Sequence, residues 1–127
     1  MAMKKYFFVM IMLSACSAEK EKHVLDPAEF HAKFKDTPDA ILLDVRRPEE
    51  VVLERLENSQ NIIFDDSFET KLADLNQKPL FVYCASGKRS AMAAQILRQK
   101  GYKNVYELEG GLGAWKEAGL PIDSTQP

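Results

Sequence analysis

Residues 79–101 read PLFVYCASGKRSAMAAQILRQKG, and their order decides the architecture of the chain. Pro79 to Tyr83 is a short, unbroken apolar run, the mark of a strand buried on both faces. Ser90 to Lys100 carries Met92, Ala93, Ile96 and Leu97 at helical spacing. That pattern predicts a helix burying those four side chains and stopping at Gly101. Between strand and helix lie Cys84, two small residues, Gly87 and two cations. Packing alone does not ask for such a junction.

Outward from this stretch, strand and helix patterns alternate. Val24-Leu25 is a short apolar element, followed by Asp26 as N-cap, Pro27 at the first helical position and Glu29 at the third. Phe30 and Phe34 sit one turn apart on that helix. Ala40 to Val45 reads as a buried strand, and Pro48-Glu49-Glu50 opens a second helix. With no glycine near Glu54, this helix is expected to run to about Glu57, with Asn58 as a left-handed stop. Asn61 to Phe64 reads as a strand and Asp66 to Leu75 as a third helix. Val105 to Leu108 is a last strand and Leu112 to Ala118 a last helix, with Gly119 and Pro121 just beyond it. Five strands joined by short helical connections predict an α/β, doubly wound domain with a mainly parallel five-stranded sheet flanked by helices. No internal repeat of solenoid period and no low-complexity segment interrupts it.

Composition narrows the chemistry. A chain of 127 residues has room for one core, and 46% hydrophobic with 28% charged residues is ordinary for a globular protein. A formal charge of -2 gives no reason to expect nucleic acid as partner. Two cysteines, Cys16 and Cys84, and two histidines, His23 and His31, cannot supply a zinc site of usual spacing. Both histidines lie early and no nucleophile-elbow motif occurs, which argues against a Ser/His/Asp triad. Neither a metal nor a cofactor is expected.

The first residues form a separate object. MAMKK is a short basic start, Tyr6 to Leu13 is apolar, and Leu13-Ser14-Ala15-Cys16 closes with small residues. Residues 1–15 therefore read as a secretory signal, too short in its apolar run to span a bilayer. LSAC resembles a bacterial lipobox, making Cys16 the acylated N-terminus of a mature chain anchored in the cell envelope. An ordinary cleaved signal, releasing a soluble exported protein, is the alternative. Cleavage before Cys16 removes two lysines and no acid, taking the formal charge from -2 to -4. Residues 16–23 then read as a lipidated tether, 24–122 as the domain and 123–127 as a tail. Cys84 is left as a lone thiol in an oxidising compartment, either inert or kept for reactivity.

The loop favours reactivity. Gly87 can take a positive φ, and Ala85 and Ser86 are small enough for successive N–H groups to turn inward as an anion nest. The helix beginning near Ser90 adds unpaired N–H groups and the positive end of its dipole. A thiol so placed should ionise more readily than a free cysteine. Lys88 and Arg89 add positive charge for an anionic substrate.

CASGKRS at 84–90 resembles the active loop of rhodanese-like sulfurtransferases. LLDVRRPEE at 42–50, Asn61-Ile62, and ELEGGLGAWKEAGLPI at 107–122 fit the same family, so the resemblance spans residues 24 to 122. It implies that Cys84 takes a sulfane sulfur from a small anionic donor such as thiosulfate, holds it as a persulfide, and passes it to a thiol or cyanide-type acceptor. It also implies that the N–H groups of residues 85 to 89 cradle the sulfur. Asp44 then either orients the loop by hydrogen bonding or caps the next helix. Arg46, with Asp44 a candidate for orienting the loop, is expected to pair with Glu49 or Glu50 rather than to contact substrate. Trp115 reads as core and His31 as solvated surface. One departure stands out: VVLERLENSQ at 51–60 replaces the aromatic, Gly-His and Gly-Ala pairs usual in the family, which bears on substrate preference. Phosphatases and arsenate reductases of related fold carry Cys-x5-Arg, whereas Cys84 to Arg89 is Cys-x4-Arg, so the spacing favours sulfur. A non-catalytic recognition module is the other alternative, and such modules often lose the cysteine.

Overall fold

The computed structural model describes residues 21–125; the signal, lipidation and tether readings of residues 1–20 lie outside them. Five strands, β1 (Val24–Leu25), β2 (Ile41–Asp44), β3 (Gln60–Asn61), β4 (Leu80–Tyr83) and β5 (Val105–Leu108), form one sheet in the order β1-β5-β4-β2-β3. Every pairing is parallel. β4 is central, and each of its four residues is buried. The side chains alternate between faces: Leu80 and Val82 meet Leu43, Ala93, Ala94 and Leu97 on one side. Phe81 and Tyr83 meet Phe30, Leu42, Tyr106 and Trp115 on the other. This two-sided burial is what an unbroken apolar run requires.

Four helices surround the sheet: α1 (Pro27–Lys35), α2 (Pro48–Leu53), α3 (Lys88–Gln99) and α4 (Gly111–Glu117). The Asp26 carboxylate accepts the Glu29 N–H at 2.9 Å, so α1 starts on the expected cap. α3 starts at Lys88 rather than Ser90, with Gly87 in the left-handed conformation at its N-cap.

Several expectations are corrected. α2 ends at Leu53, and Glu54 is fully extended, because the chain turns Leu56 into the core. There Arg55 exchanges two backbone hydrogen bonds with Asp123, at 2.9 and 2.8 Å. Asn58 is left-handed, as expected, but in a turn rather than at a helix end. β3 is only two residues long. Asp66 to Leu75 is not an α-helix but two 3-10 turns, Phe68–Lys71 and Ala73–Leu75. Phe68, Leu72 and Leu75 still face the core. A 3-10 turn rises about 2.0 Å per residue, so the same apolar spacing reaches further along the sheet. Met92 is 49% exposed, and Ala94 takes its place in the core. At the two ends of the 24–122 region the His23 carbonyl accepts the Glu107 N–H, and Asp123 pairs with Arg55.

Candidate functional site

Cys84 follows the last residue of the central strand, at the carboxyl edge where open parallel sheets place their chemistry. Its Sγ accepts the Gly87 N–H at 3.0 Å and the Ser90 N–H at 3.4 Å. Ser90 Oγ lies 3.4 Å from the sulfur and 3.2 Å from the Gly87 carbonyl oxygen. While the thiol is protonated, S–H donates to Oγ and the hydroxyl donates to Gly87. Once the thiol ionises, the hydroxyl can turn to the sulfur. Burial pushes the thiol up, but the Ser90 hydroxyl and N–H, with the Gly87 and Ser86 backbone, bring it below its ordinary 9.0. Of the residues in the anticipated cradle, Gly87 and Ser90 contribute the hydrogen bonds to sulfur. Ser86 and Lys88 are exposed, and Ala85 and Arg89 are partly buried.

Gly87 has φ +98°, which an L side chain adopts only with strain, and this conformation turns its N–H toward the sulfur. α4 supports the loop from behind. The Leu112 N–H donates to the Cys84 carbonyl at 2.9 Å, and the Gly113 N–H to the Ala85 carbonyl at 3.2 Å. Gly111 makes this approach possible: a Cβ there would lie 2.6 Å from backbone atoms of Cys84 and Ala85. Reading the sequence residue by residue missed this role, although adjacent glycines opening a helix were a visible signal.

Arg89 does not stand free for substrate. Its guanidinium makes a two-bond pair with Glu50, at 2.7 and 2.9 Å, tying α3 to α2. Those bonds, with the Arg47 N–H and the neighbouring cations, bring Glu50 down to about 2. Lys88 is exposed. Arg46 is buried, but its partner is Asp44 rather than Glu49 or Glu50. The Asp44 carboxylate accepts the Arg46 backbone N–H at 2.9 Å and the guanidinium at 2.8 to 3.2 Å. Arg46 also donates to the Glu54 carbonyl at 2.7 Å, holding the chain where α2 has ended. Asp44 therefore neither caps α2 nor bonds the 84–90 loop, and it secures Arg46 beneath the site. Asn61 fastens the same corner, donating to the Asp44 and Arg46 carbonyls at 2.9 Å each.

A recess of about 290 Å³ opens beside the loop, lined by Arg46, Glu50, Leu53, Ala85, Leu112 and Lys116. Trp115, also on α4, is core and its indole N–H donates to the Pro121 carbonyl. His31 is half-buried with its ring edge-on to Trp115, not a solvated surface group. Among the described residues no His, Cys, Asp and Glu cluster suits a metal ion.

The family model described as the rhodanese-like domain matches residues 26–118. A protein of Allochromatium vinosum named sulfurtransferase is 30% identical over 99 residues, covering 77% of this chain and 92% of the relative. A Vibrio cholerae thiosulfate sulfurtransferase, GlpE, is 33% identical, covering 68% of this chain and 81% of the relative. An uncharacterized Synechocystis protein, slr1261, is 40% identical over 68% of this chain, which spans only 48% of it. A tRNA uridine(34) hydroxylase of Cytophaga hutchinsonii, 35% identical over 72% of this chain, contains the similarity within 30% of its own length. Among solved structures, a rhodanese-related protein from Thermoplasma volcanium superposes with a TM-score of 0.72 at 33% identity, covering 81% of this chain and 99% of its own.

Proposed function

The chain belongs to the rhodanese-like domain family, and from that premise we propose that it is a sulfurtransferase working through a persulfide on Cys84. The observation that carries the reading is the sulfur's surroundings. A lone cysteine at the end of the central strand meets one N–H at 3.0 Å, with a second N–H and a hydroxyl at 3.4 Å. Such donors favour the Cys84 thiolate, the form that attacks a sulfane donor and the form that leaves when the sulfur is passed on.

With thiosulfate as donor, the Cys84 thiolate attacks the sulfane sulfur. A new S–S bond forms to Sγ, the donor's own S–S bond breaks, and its electron pair leaves on sulfite. With cyanide as acceptor, the carbanion attacks the outer sulfur and Cys84 departs as thiolate. No step needs an external oxidant or reductant. Cys84 is fully buried, so the loop has to open for the donor to enter. Lys88 attracts an anionic donor from outside, while Arg89 holds the loop through Glu50. Export and lipidation through Cys16 belong to the same proposal, supported by the basic, apolar and small-residue order of residues 1–16.

Thiocyanate formation from thiosulfate and cyanide tests the reading. We expect turnover in the wild type and none in Cys84→Ser; equal rates in the two proteins would refute it. The Cys-x5-Arg chemistry of phosphatases is disfavoured by the same geometry, because Arg89 is drawn to Glu50 and the loop is one residue short. Hydrolysis of an activated aryl phosphate faster than sulfur transfer would reverse that judgement.

A further inference from the structure

A second cavity, of about 220 Å³, lies in the core layer of Phe81 and Tyr83, whereas Cys84 packs in the layer on the other face of the sheet. It shares no lining residue with the recess beside Cys84. Phe30, Leu42, Leu56 and Trp115, all buried, and the half-buried Phe34 make its apolar floor. The cavity is held open by bonds that need no ligand. The Tyr83 hydroxyl accepts the Leu56 N–H at 3.1 Å, and the Pro121 carbonyl accepts the Trp115 indole N–H at 2.9 Å. Its polar edge draws on two elements: His31 and Lys35 come from α1, and Glu57 from the turn that follows α2. Burial, aided by the Lys35 charge, pushes the His31 imidazole below its ordinary 6.5, which leaves it neutral. Lys35 and Glu57 are therefore the two charges at the cavity. Among the described residues neither forms an ion pair, with the other or with any third group.

Size, wall and charge together limit what can fill this space. An apolar cavity of roughly 150 Å³ takes up benzene, so about 220 Å³ holds one aromatic ring and a short chain. Trp115 already receives two rings edge-on, Phe30 at 6.3 Å and His31 at 5.2 Å between centroids. A flat ring continues that packing better than an alkyl chain does. A lone carboxylate would meet Glu57 as well as Lys35, and a lone amine would meet Lys35 as well as Glu57. A molecule carrying both charges satisfies both side chains. We propose that the cavity is a second binding site, for a small aromatic zwitterion of the amino-acid class. Its ring packs against Trp115, its carboxylate faces Lys35 and its ammonium faces Glu57. The site does not depend on the sulfurtransferase reading, and no bond is made or broken in it.

Trp115 is the single tryptophan of the chain, so its fluorescence reports the cavity directly. Phenylalanine, phenylpropionate and phenethylamine present the same ring with both charges, the carboxylate alone and the ammonium alone. Titrated into the full chain, phenylalanine should bind with a Kd of about 1 mM, the strength open to so small a ligand. Each singly charged probe should bind about fivefold more weakly, having given up one partly exposed ion pair. Norleucine, with both charges and no ring, should also bind about fivefold more weakly. In Lys35→Gln phenethylamine should match phenylalanine, and in Glu57→Gln phenylpropionate should match it. Both positions are exposed and neither lines the recess beside Cys84, so sulfur transfer should stay at the wild-type rate in both variants. An unchanged Trp115 signal far above 1 mM phenylalanine, or equal affinity for all four probes, overturns the site. A charge preference that survives both substitutions does the same. So does a Trp115 signal that follows protein concentration without ligand, since a second copy would then fill the cavity.

Discussion

Replacing Gly111 with alanine should damage the site from behind, without touching a residue that meets substrate. Gly111 has φ +61°, and a Cβ would stand 2.6 Å from the carbonyl oxygens of Cys84 and Ala85. The left-handed backbone costs a non-glycine residue about 1–2 kcal/mol. Overlap with backbone atoms, which cannot swing aside as a flexible side chain does, adds about 1–3 kcal/mol. Gly101 isolates the first cost: its φ is +94°, and no atom lies within 4 Å of its would-be Cβ. Each kcal/mol moves the midpoint of a domain this size by about 4 °C. The extra penalty at Gly111 should thus lower Tm by about 8 °C more than Gly101→Ala does. Because the displaced carbonyls accept the Leu112 and Gly113 N–H groups, Cys84 alkylation at neutral pH should slow in Gly111→Ala alone. Thermal denaturation and iodoacetamide kinetics measure both effects. Equal midpoints and equal alkylation rates for the two variants would refute the reasoning that α4 braces the loop.

Further outcomes follow from the same geometry. Ser90→Ala removes a hydroxyl and keeps the N–H, so the Cys84 thiol should rise and the alkylation–pH profile should move to higher pH. An unmoved profile would remove Ser90 from the account. Gly87→Ala has space for its Cβ, whose nearest neighbour is 3.5 Å away, so its cost of about 1–2 kcal/mol is conformational, and sulfur loading should fall more than in Ser86→Ala. Glu50 is held at about 2 against an ordinary 4.5, so its stabilising contribution is complete above pH 4.5 and is lost as pH falls toward 2. Both partners are roughly a quarter exposed, so screening limits it to about 1–2 kcal/mol. Urea unfolding of Glu50→Gln should therefore show a smaller stability loss between pH 5 and pH 3 than wild type.

The stretch 79–101 was readable because its information is local. A five-residue apolar run with a β-branched and two aromatic residues suits a strand buried on both faces, and a glycine between it and a helix suits a turn of positive φ. What escaped reading depends on residues distant in sequence. α2 stops at Leu53 because Leu56 is wanted in the core beneath Tyr83, whose hydroxyl accepts the Leu56 N–H, and because Arg55 pairs with Asp123. Nothing between 51 and 60 announces either partner. Met92 fits the helical period as well as Ala94 does, and only the position of the sheet decides which is buried. The Arg46 partner was legible after all: an aspartate two residues before the arginine can turn back to accept both its backbone N–H and its guanidinium. The Arg89–Glu50 pair spans 39 residues and emerges only once α2 and α3 are set side by side.

The central claim is that Cys84 carries sulfur, and the mass of the intact domain tests it most directly. After exposure to thiosulfate and removal of excess reagent, the wild-type domain should be heavier by one sulfur atom. Cyanide should return it to its starting mass, and Cys84→Ser should not change. A wild-type domain that gains no sulfur from thiosulfate or any other sulfane donor, or a Cys84→Ser protein that gains it equally, would contradict the account.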